Sequence, residues 1–301
     1  MTLFDTHAHF DSFAAEGGVD QVLARAAAAG VARICAVGSS EASNDLVARL
    51  AQEHPAQLVA AVGYDRDQVD KPCDVAKLSA LADGPGVVAV GETGLDYYYS
   101  ADTAPDQRRL FARMLEFALD RRLPVVVHSR YADDETLDLL GEFSTAWKKV
   151  FHSMEKKTER FPQHGKTEAD FSTAWKPPPD LFHSVEKEVP PPGILHCFTG
   201  DMAFAEALLA MGFMISFSGI VSFNNAGPLR EVARHMPLDR LLVETDCPYL
   251  TPKPFRGKVN EPAFVVRVAE VVAEARDSDA IDIAAATFAN ALRVFQREGE
   301  P

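Results

Sequence analysis

Pro124-Val125-Val126-Val127-His128-Ser129-Arg130 carries the pattern on which the fold is read. A β-branched run that is apolar at every position, closed by polar residues, is the mark of a strand buried on both faces. The run follows a helical stretch from Asp106 to Arg122 that stops before Pro124. The same alternation recurs outward in both directions. Ala32-Arg33-Ile34-Cys35-Ala36-Val37-Gly38 and Val87-Val88-Ala89-Val90-Gly91 are further buried strands, and the helix from Asp20 to Ala29 ends at Gly30, a favourable stop. Strands are predicted near 2–9, 32–38, 57–63, 86–92, 123–129, 193–198, 212–218 and 240–245, with closing helices between Glu261 and Gln296. Eight strands alternating with helices predict an α/β fold, a TIM (β/α)8 barrel spanning residues 1–301 as one domain.

The composition agrees with that size. The chain has 301 residues, 47% of them hydrophobic, enough for one large core. No apolar run reaches the ~18 residues that cross a bilayer, and no signal peptide is evident. Cys35, Cys73, Cys197 and Cys247 form no C-x-x-C pair, which suits free thiols and a cytoplasmic location. The net charge of -14 and a pI of about 5.1 repel a polyanion at long range. Chemistry on nucleic acid then needs local positive charge and metal ions.

One interval breaks the rhythm. Between the fifth and sixth strands lies an insertion, 142–192, with an internal near-repeat. Phe143-Ser144-Thr145-Ala146-Trp147-Lys148 returns as Phe171-Ser172-Thr173-Ala174-Trp175-Lys176, and Phe151-His152-Ser153 returns as Phe182-His183-Ser184. This reads as a duplicated small hairpin or helical element placed after a helix Asp133–Leu140. Helix-to-strand connections emerge at the N-terminal face of a barrel, away from the active-site face. The segment carries eight basic and eight acidic residues, so it is locally neutral in an acidic chain. A docking or self-association role is one expectation, and a surface insertion packed on its own barrel is the other.

The polar residues at strand ends point to chemistry. His7 and His9, in Phe4-Asp5-Thr6-His7-Ala8-His9-Phe10, are two residues apart on a strand and so project side by side, with Asp5 on the same side. Glu92 ends the fourth strand, His128 the fifth, His196 the sixth and Asp246 the eighth. In a closed barrel these ends converge. Taken singly, a buried strand-end histidine is more often a hydrogen-bonded core residue than a ligand. Together, four imidazoles and two carboxylates are more than one metal needs, and two divalent metals sharing a bridging carboxylate suit the count. His54, His152, His164, His183 and His235 fall in helices, loops or the insertion and are assigned no chemistry.

These stretches resemble those of the TatD-type metal-dependent hydrolases, a deoxyribonuclease-like branch of the amidohydrolase superfamily. Gly91-Glu92-Thr93-Gly94-Leu95-Asp96-Tyr97, His196-Cys197-Phe198-Thr199-Gly200 and Glu244-Thr245-Asp246-Cys247-Pro248-Tyr249-Leu250 carry the similarity together with the first and fifth strands. Arg256-Gly257-Lys258-Val259-Asn260-Glu261-Pro262 is similar to the family's last signature, with Val259 where a basic residue is common. The resemblance covers essentially the whole chain outside 142–192. It implies that His7, His9, Glu92 and Asp246 hold one divalent metal and that Glu92, His128 and His196 hold a second, with Glu92 bridging. It also implies that Glu92 stands where other amidohydrolases often carry a modified lysine.

The activity expected on this basis is phosphodiester hydrolysis of DNA, single-stranded or at an end, by a hydroxide bridging two cations. Zn, Mg, Mn and Ni all suit such donors. Asp246 is the expected proton acceptor and Glu92 its catalytic partner. Arg130, just past the fifth strand, is the expected substrate contact. Lys253, Arg256 and Lys258 are further candidates for phosphates, and Tyr97, Tyr98, Tyr99, Phe198, Tyr249 and Phe255 for base stacking, although most such aromatics cap a barrel. A deacylase or esterase acting on a small-molecule ester or amide uses the same centre. A metal-free scaffold whose working part is the insertion is a third possibility, opposed by the intact donor set.

Overall fold

The computed structural model describes residues 1–158 and 189–296. Eight parallel strands form one sheet in chain order: β1 (Leu3–Ala8), β2 (Val31–Val37), β3 (Leu58–Val62), β4 (Val87–Asp96), β5 (Val125–Arg130), β6 (Gly193–Leu195), β7 (Met214–Phe217) and β8 (Leu241–Val243). β8 returns to β1 through a bridge between Ala8 and Cys247. Two backbone bonds, His9 N–H to Cys247 O and Asp246 N–H to His7 O, both 2.9 Å, complete the closure. The molecule is a TIM barrel, as the alternation predicts.

Two apolar layers hold it. The inner layer takes at least one side chain from every strand: Phe4, Val37, Val59, Val88, Val126, Ile194, Met214 and Leu242 are all buried together. Ala291, Val294 and Phe295 of the last helix (Ala280–Phe295) plug its lower end against Phe4. The outer layer lies between the strands and the surrounding helices. Filling the barrel from below leaves only its upper, C-terminal mouth for polar groups.

Strand boundaries depart from expectation where they bear on that mouth. β6 and β8 are only three residues each, so His196 and Asp246 lie just past their ends. β4 runs on to Asp96 and pairs with β5 as far as Arg130, so Glu92 lies within the strand rather than at its end. A register shift between Val90 and Thr93 makes this possible. Gly91 stands at the shift with φ +150°, and a Cβ there would sit 2.6 Å from the Val126 carbonyl oxygen. A side chain at 91 would push β4 off β5 at the residue before Glu92.

The helix expected to end at Leu140 continues to Thr158. Asp133, Asp134 and Glu135 place negative charge in its first turn. Its extension includes the first copy of the near-repeat, and the Phe143–Trp147 part of that copy packs on the barrel. Phe143 and Trp147 are buried, Trp147 Nε1–H donates to Pro190 O at 2.8 Å, and Ser144 donates to Met211 O at 2.6 Å. Pro190 and Met211 precede β6 and β7, so these contacts lie at the strand starts, opposite the mouth. The second copy falls outside the described residues. Trp147→Ala is expected to cost about 3–5 kcal/mol of unfolding free energy, measured by urea denaturation followed by circular dichroism. A loss below about 1 kcal/mol would show that this helix is not part of the core.

Candidate metal centre

β1 delivers His7 and His9, β4 delivers Glu92, β5 delivers His128, and the residues past β6 and β8 deliver His196 and Asp246. All six reach one point at the barrel mouth. On one side, His7 Nε2 and His9 Nε2 are 3.2 Å apart. Glu92 Oε2 lies 3.6 and 3.5 Å from them, and Asp246 Oδ1 lies 3.8 and 3.5 Å from them. On the other side, Glu92 Oε1 faces His196 Nε2 at 3.1 Å and His128 Nδ1 at 3.4 Å, and the two ring nitrogens are 3.4 Å apart. Glu92 thus turns a different oxygen to each imidazole pair. Donor atoms at ~2.1 Å around one cation are spaced at about 3.0–3.4 Å; the second group, at 3.1–3.4 Å, matches this spacing, and the first, at 3.2–3.8 Å, is slightly wider.

The remaining ring nitrogens say which atoms carry hydrogen. His9 Nδ1 faces the Val37 carbonyl at 3.3 Å, His196 Nδ1 faces Glu244 Oε1 at 3.3 Å, and His128 Nε2 faces Asp96 Oδ2 at 3.2 Å. In these three histidines the outer nitrogen is placed to donate and the inner nitrogen to turn a lone pair inward, whereas His7 Nδ1 is buried with no hydrogen-bond partner among the described residues. A cluster of inward lone pairs and carboxylate oxygens holds together only around positive charge. The residues fit a metal centre on this ground.

In the metal-free protein, protons play that part. Burial pulls the His9 imidazole down, but its hydrogen bond to Asp246 and the Glu92 charge reverse this and lift it to about 9. Burial likewise opposes the charged form of His196, which the Glu92 and Glu244 carboxylates raise well above its ordinary value. Burial pushes the Glu92 and Asp246 carboxyls up, yet the surrounding imidazoles hold both below the usual carboxylate range. His7, flanked by His196 and His9, is lowered, first by burial.

Several supporting residues are invisible in the strand-end pattern. Glu244 is buried and takes the Cys197 N–H at 2.6 Å as well as His196. Cys197 and Asp246 both have left-handed backbones, φ 46° and 56°, which this network must hold in place. Asp96 takes the Tyr98 and Tyr99 N–H groups, and with His128 these bonds outweigh burial and hold its carboxyl at about 2. Arg66, just past β3, reaches Asp65, Glu92 Oε1 (3.5 Å) and Asp96 Oδ2 (3.3 Å). In the sequence Glu244 lies two residues before Asp246 and Asp96 four after Glu92. Asp5 departs from its expected place beside His7 and His9. It is fully buried against Thr245, whose N–H and Oγ1–H it accepts at 2.8 and 2.6 Å, because β1 breaks register between Asp5 and Ala8.

A cleft of about 780 Å³ opens over the centre, lined by His9, Glu92, His128, His196 and Asp246. Arg130 lines it too, with its guanidinium over the Tyr98 and Tyr99 rings at 4.1 and 4.8 Å. Tyr99, Tyr131 and Tyr249 line the same cleft and are largely exposed. Phe198 instead belongs to the core, Phe255 stacks on Phe264, and Tyr97 donates to Glu135. Lys253 bonds Asn224, and Arg256 is held by Thr251 O and the Phe223 ring, so neither lines this cleft.

A barrel of this kind with paired histidine and carboxylate donors at its mouth defines a metal-dependent hydrolase. The family model for TatD-related DNases matches residues 4–176 and 178–296. The chain belongs to the TatD-related DNase family. It is 38% identical over 298 residues to the uncharacterized metal-dependent hydrolase YcfH of Escherichia coli K12, covering 98% of this chain and 96% of that one. It is 30% identical over 301 residues to the 3'-5' ssDNA/RNA exonuclease TatD of Pectobacterium carotovorum, covering 98% and 99%. The crystal structure of YJJV, a TatD homologue of Escherichia coli K12, superimposes with a TM-score of 0.78 at 27% identity over 98% of both chains. No described helix is long and apolar enough to cross a membrane.

Two outcomes follow for metal binding. At pH 7, loading a divalent cation should release about one proton or more, because His9 and His196 give theirs up, and affinity should rise as pH climbs toward 9. Calorimetry in buffers of different ionisation enthalpy measures this, and zero release contradicts it. Glu244→Gln, which weakens the anchor on His196, should lower metal affinity about 10- to 100-fold in a competition assay with a chromogenic chelator.

Proposed function

We propose that this protein hydrolyses phosphodiester bonds in nucleic acid, releasing nucleotides from a single-stranded end, with two divalent cations at the barrel mouth. The observation that carries the reading is Glu92, whose two oxygens lie nearest different imidazole pairs, His7 of one pair stacking on His196 of the other at 3.8 Å. His7, His9 and Asp246 with Glu92 would hold one cation, and His128 and His196 with Glu92 the other. When bound, the pair supplies an acidified water and neutralises charge on the phosphoryl oxygens.

The chain's own groups do the rest. Asp246 is ionised at neutral pH, held down by His9, His7 and His196 against burial, and it lines the cleft. It turns Oδ1 to the histidines, which leaves its second oxygen to take the proton of the attacking water. Arg130 and the exposed Tyr98, Tyr99 and Tyr131 form a cationic and aromatic wall beside the centre. Phosphates pair with the guanidinium and unstacked bases with the rings, which suits single strands better than a duplex. The related exonuclease named above supports this choice of polymer.

The test uses protein stripped of metal, then given Mg²⁺, Mn²⁺ or Zn²⁺ with an end-labelled single-stranded oligonucleotide, beside aryl esters. Metal-dependent shortening of the oligonucleotide is expected, reduced at least ~1000-fold by Glu92→Ala. Ester cleavage without oligonucleotide cleavage, or undiminished cleavage by Glu92→Ala, overturns it. Tyr99→Ala should weaken oligonucleotide binding by about 1–3 kcal/mol in fluorescence anisotropy.

A further inference from the structure

Arg66 enters the site from the first turn after β3, in the run Asp65-Arg66-Asp67. Its side chain is one-quarter exposed. Nη1 meets Asp65 and lies 3.5 Å from Glu92 Oε1, the oxygen turned to His128 and His196, while Nε lies 3.3 Å from Asp96 Oδ2. Among the described residues no group bonds Nη2. Arg66 shares its position between two clefts with His9, Glu92 and Tyr249. Besides the large cleft, a smaller one of about 400 Å³ opens on the other side of the centre, lined by Ser39, Ser40 and Asp65, and Arg66 lines both. A polymer bond lying over Glu92 with a residue in each cleft passes this guanidinium. Arg130, by contrast, lies over the Tyr98 and Tyr99 rings.

We propose that Arg66 is a catalytic residue whose guanidinium binds a non-bridging oxygen of the scissile phosphate. This rests on the phosphodiesterase reading above. A planar fork with unused donors matches phosphate geometry, and a fixed cation there gains strength as charge builds on the phosphoryl oxygens. Asp65 and Asp96 aim it: one holds Nη1, the other faces Nε, and both are buried. The competing role, a cation that only neutralises Asp65, Glu92 and Asp96, makes no contact with substrate.

A cycle between enzyme and substrate separates these roles. Wild type and Arg66→Met, with metal content and melting temperature checked, are compared in single turnovers on an oligonucleotide with an ordinary scissile linkage and on the two methylphosphonate diastereomers of that linkage. Arg66→Met is expected to slow the ordinary linkage about 100-fold, and to slow by only a few-fold the diastereomer that lacks the bound oxygen. Anisotropy of the labelled oligonucleotide in Ca²⁺ should show weaker binding as well. Equal losses on all three linkages assign Arg66 a neutralising role and overturn the proposal. Should Arg66→Met lose metal or fold, Arg66→Lys keeps the charge without the fork and is read in the same cycle, with the same two outcomes. Failure of wild type to cleave any oligonucleotide would instead overturn the phosphodiesterase reading, and this proposal with it.

Discussion

The carboxylate of Glu92 is the constraint around which the mouth of this barrel is arranged. One oxygen faces His7 and His9, the other His128 and His196, and each separation lies between 3.1 and 3.6 Å. A planar carboxylate can do this only if four strands bring their side chains to the same height. The barrel supplies that convergence, and its packed inner layer keeps the height fixed from below. The price is a buried group of acceptors that repel one another, tolerable because positive charge, carried by protons or by cations, sits among them.

The outer partners convert a loose cluster into an aimed one. Val37 O, Glu244 and Asp96 each hold one histidine by its far nitrogen, so the near nitrogens have no freedom to turn away. The left-handed backbones at Cys197 and Asp246 place the residues past β6 and β8 where regular strands would not. Gly91 performs a similar service on β4, where the register shift sets Glu92 inside the strand.

Much of this was legible in the amino-acid order. Continuous apolar runs mark strands buried on both faces, and the first, fourth, fifth, sixth and eighth end near polar residues that the structure brings to the mouth. What escaped had physical reasons. Asp5 shares the His7 and His9 parity, but a register break in β1 sends it to Thr245. Arg66 lies in a charged loop, where nothing in the pattern separates a residue that turns inward from a solvated one. The helix through Phe143 and Trp147 reads as the start of an insertion, because the near-repeat begins at Phe143. Its apolar spacing in fact continues the preceding helix onto the core.

Membership of the TatD-related DNase family and the barrel mouth together describe a metal-dependent hydrolase, and the paired grouping about Glu92 is what sets the expected number of cations. The most direct measurement is anomalous diffraction from crystals of the Mn²⁺- or Zn²⁺-loaded protein. Two peaks about 3.5–4 Å apart, one toward each oxygen of Glu92, are expected. A single peak off Glu92, or ions bound elsewhere with the six side chains bare, would contradict it.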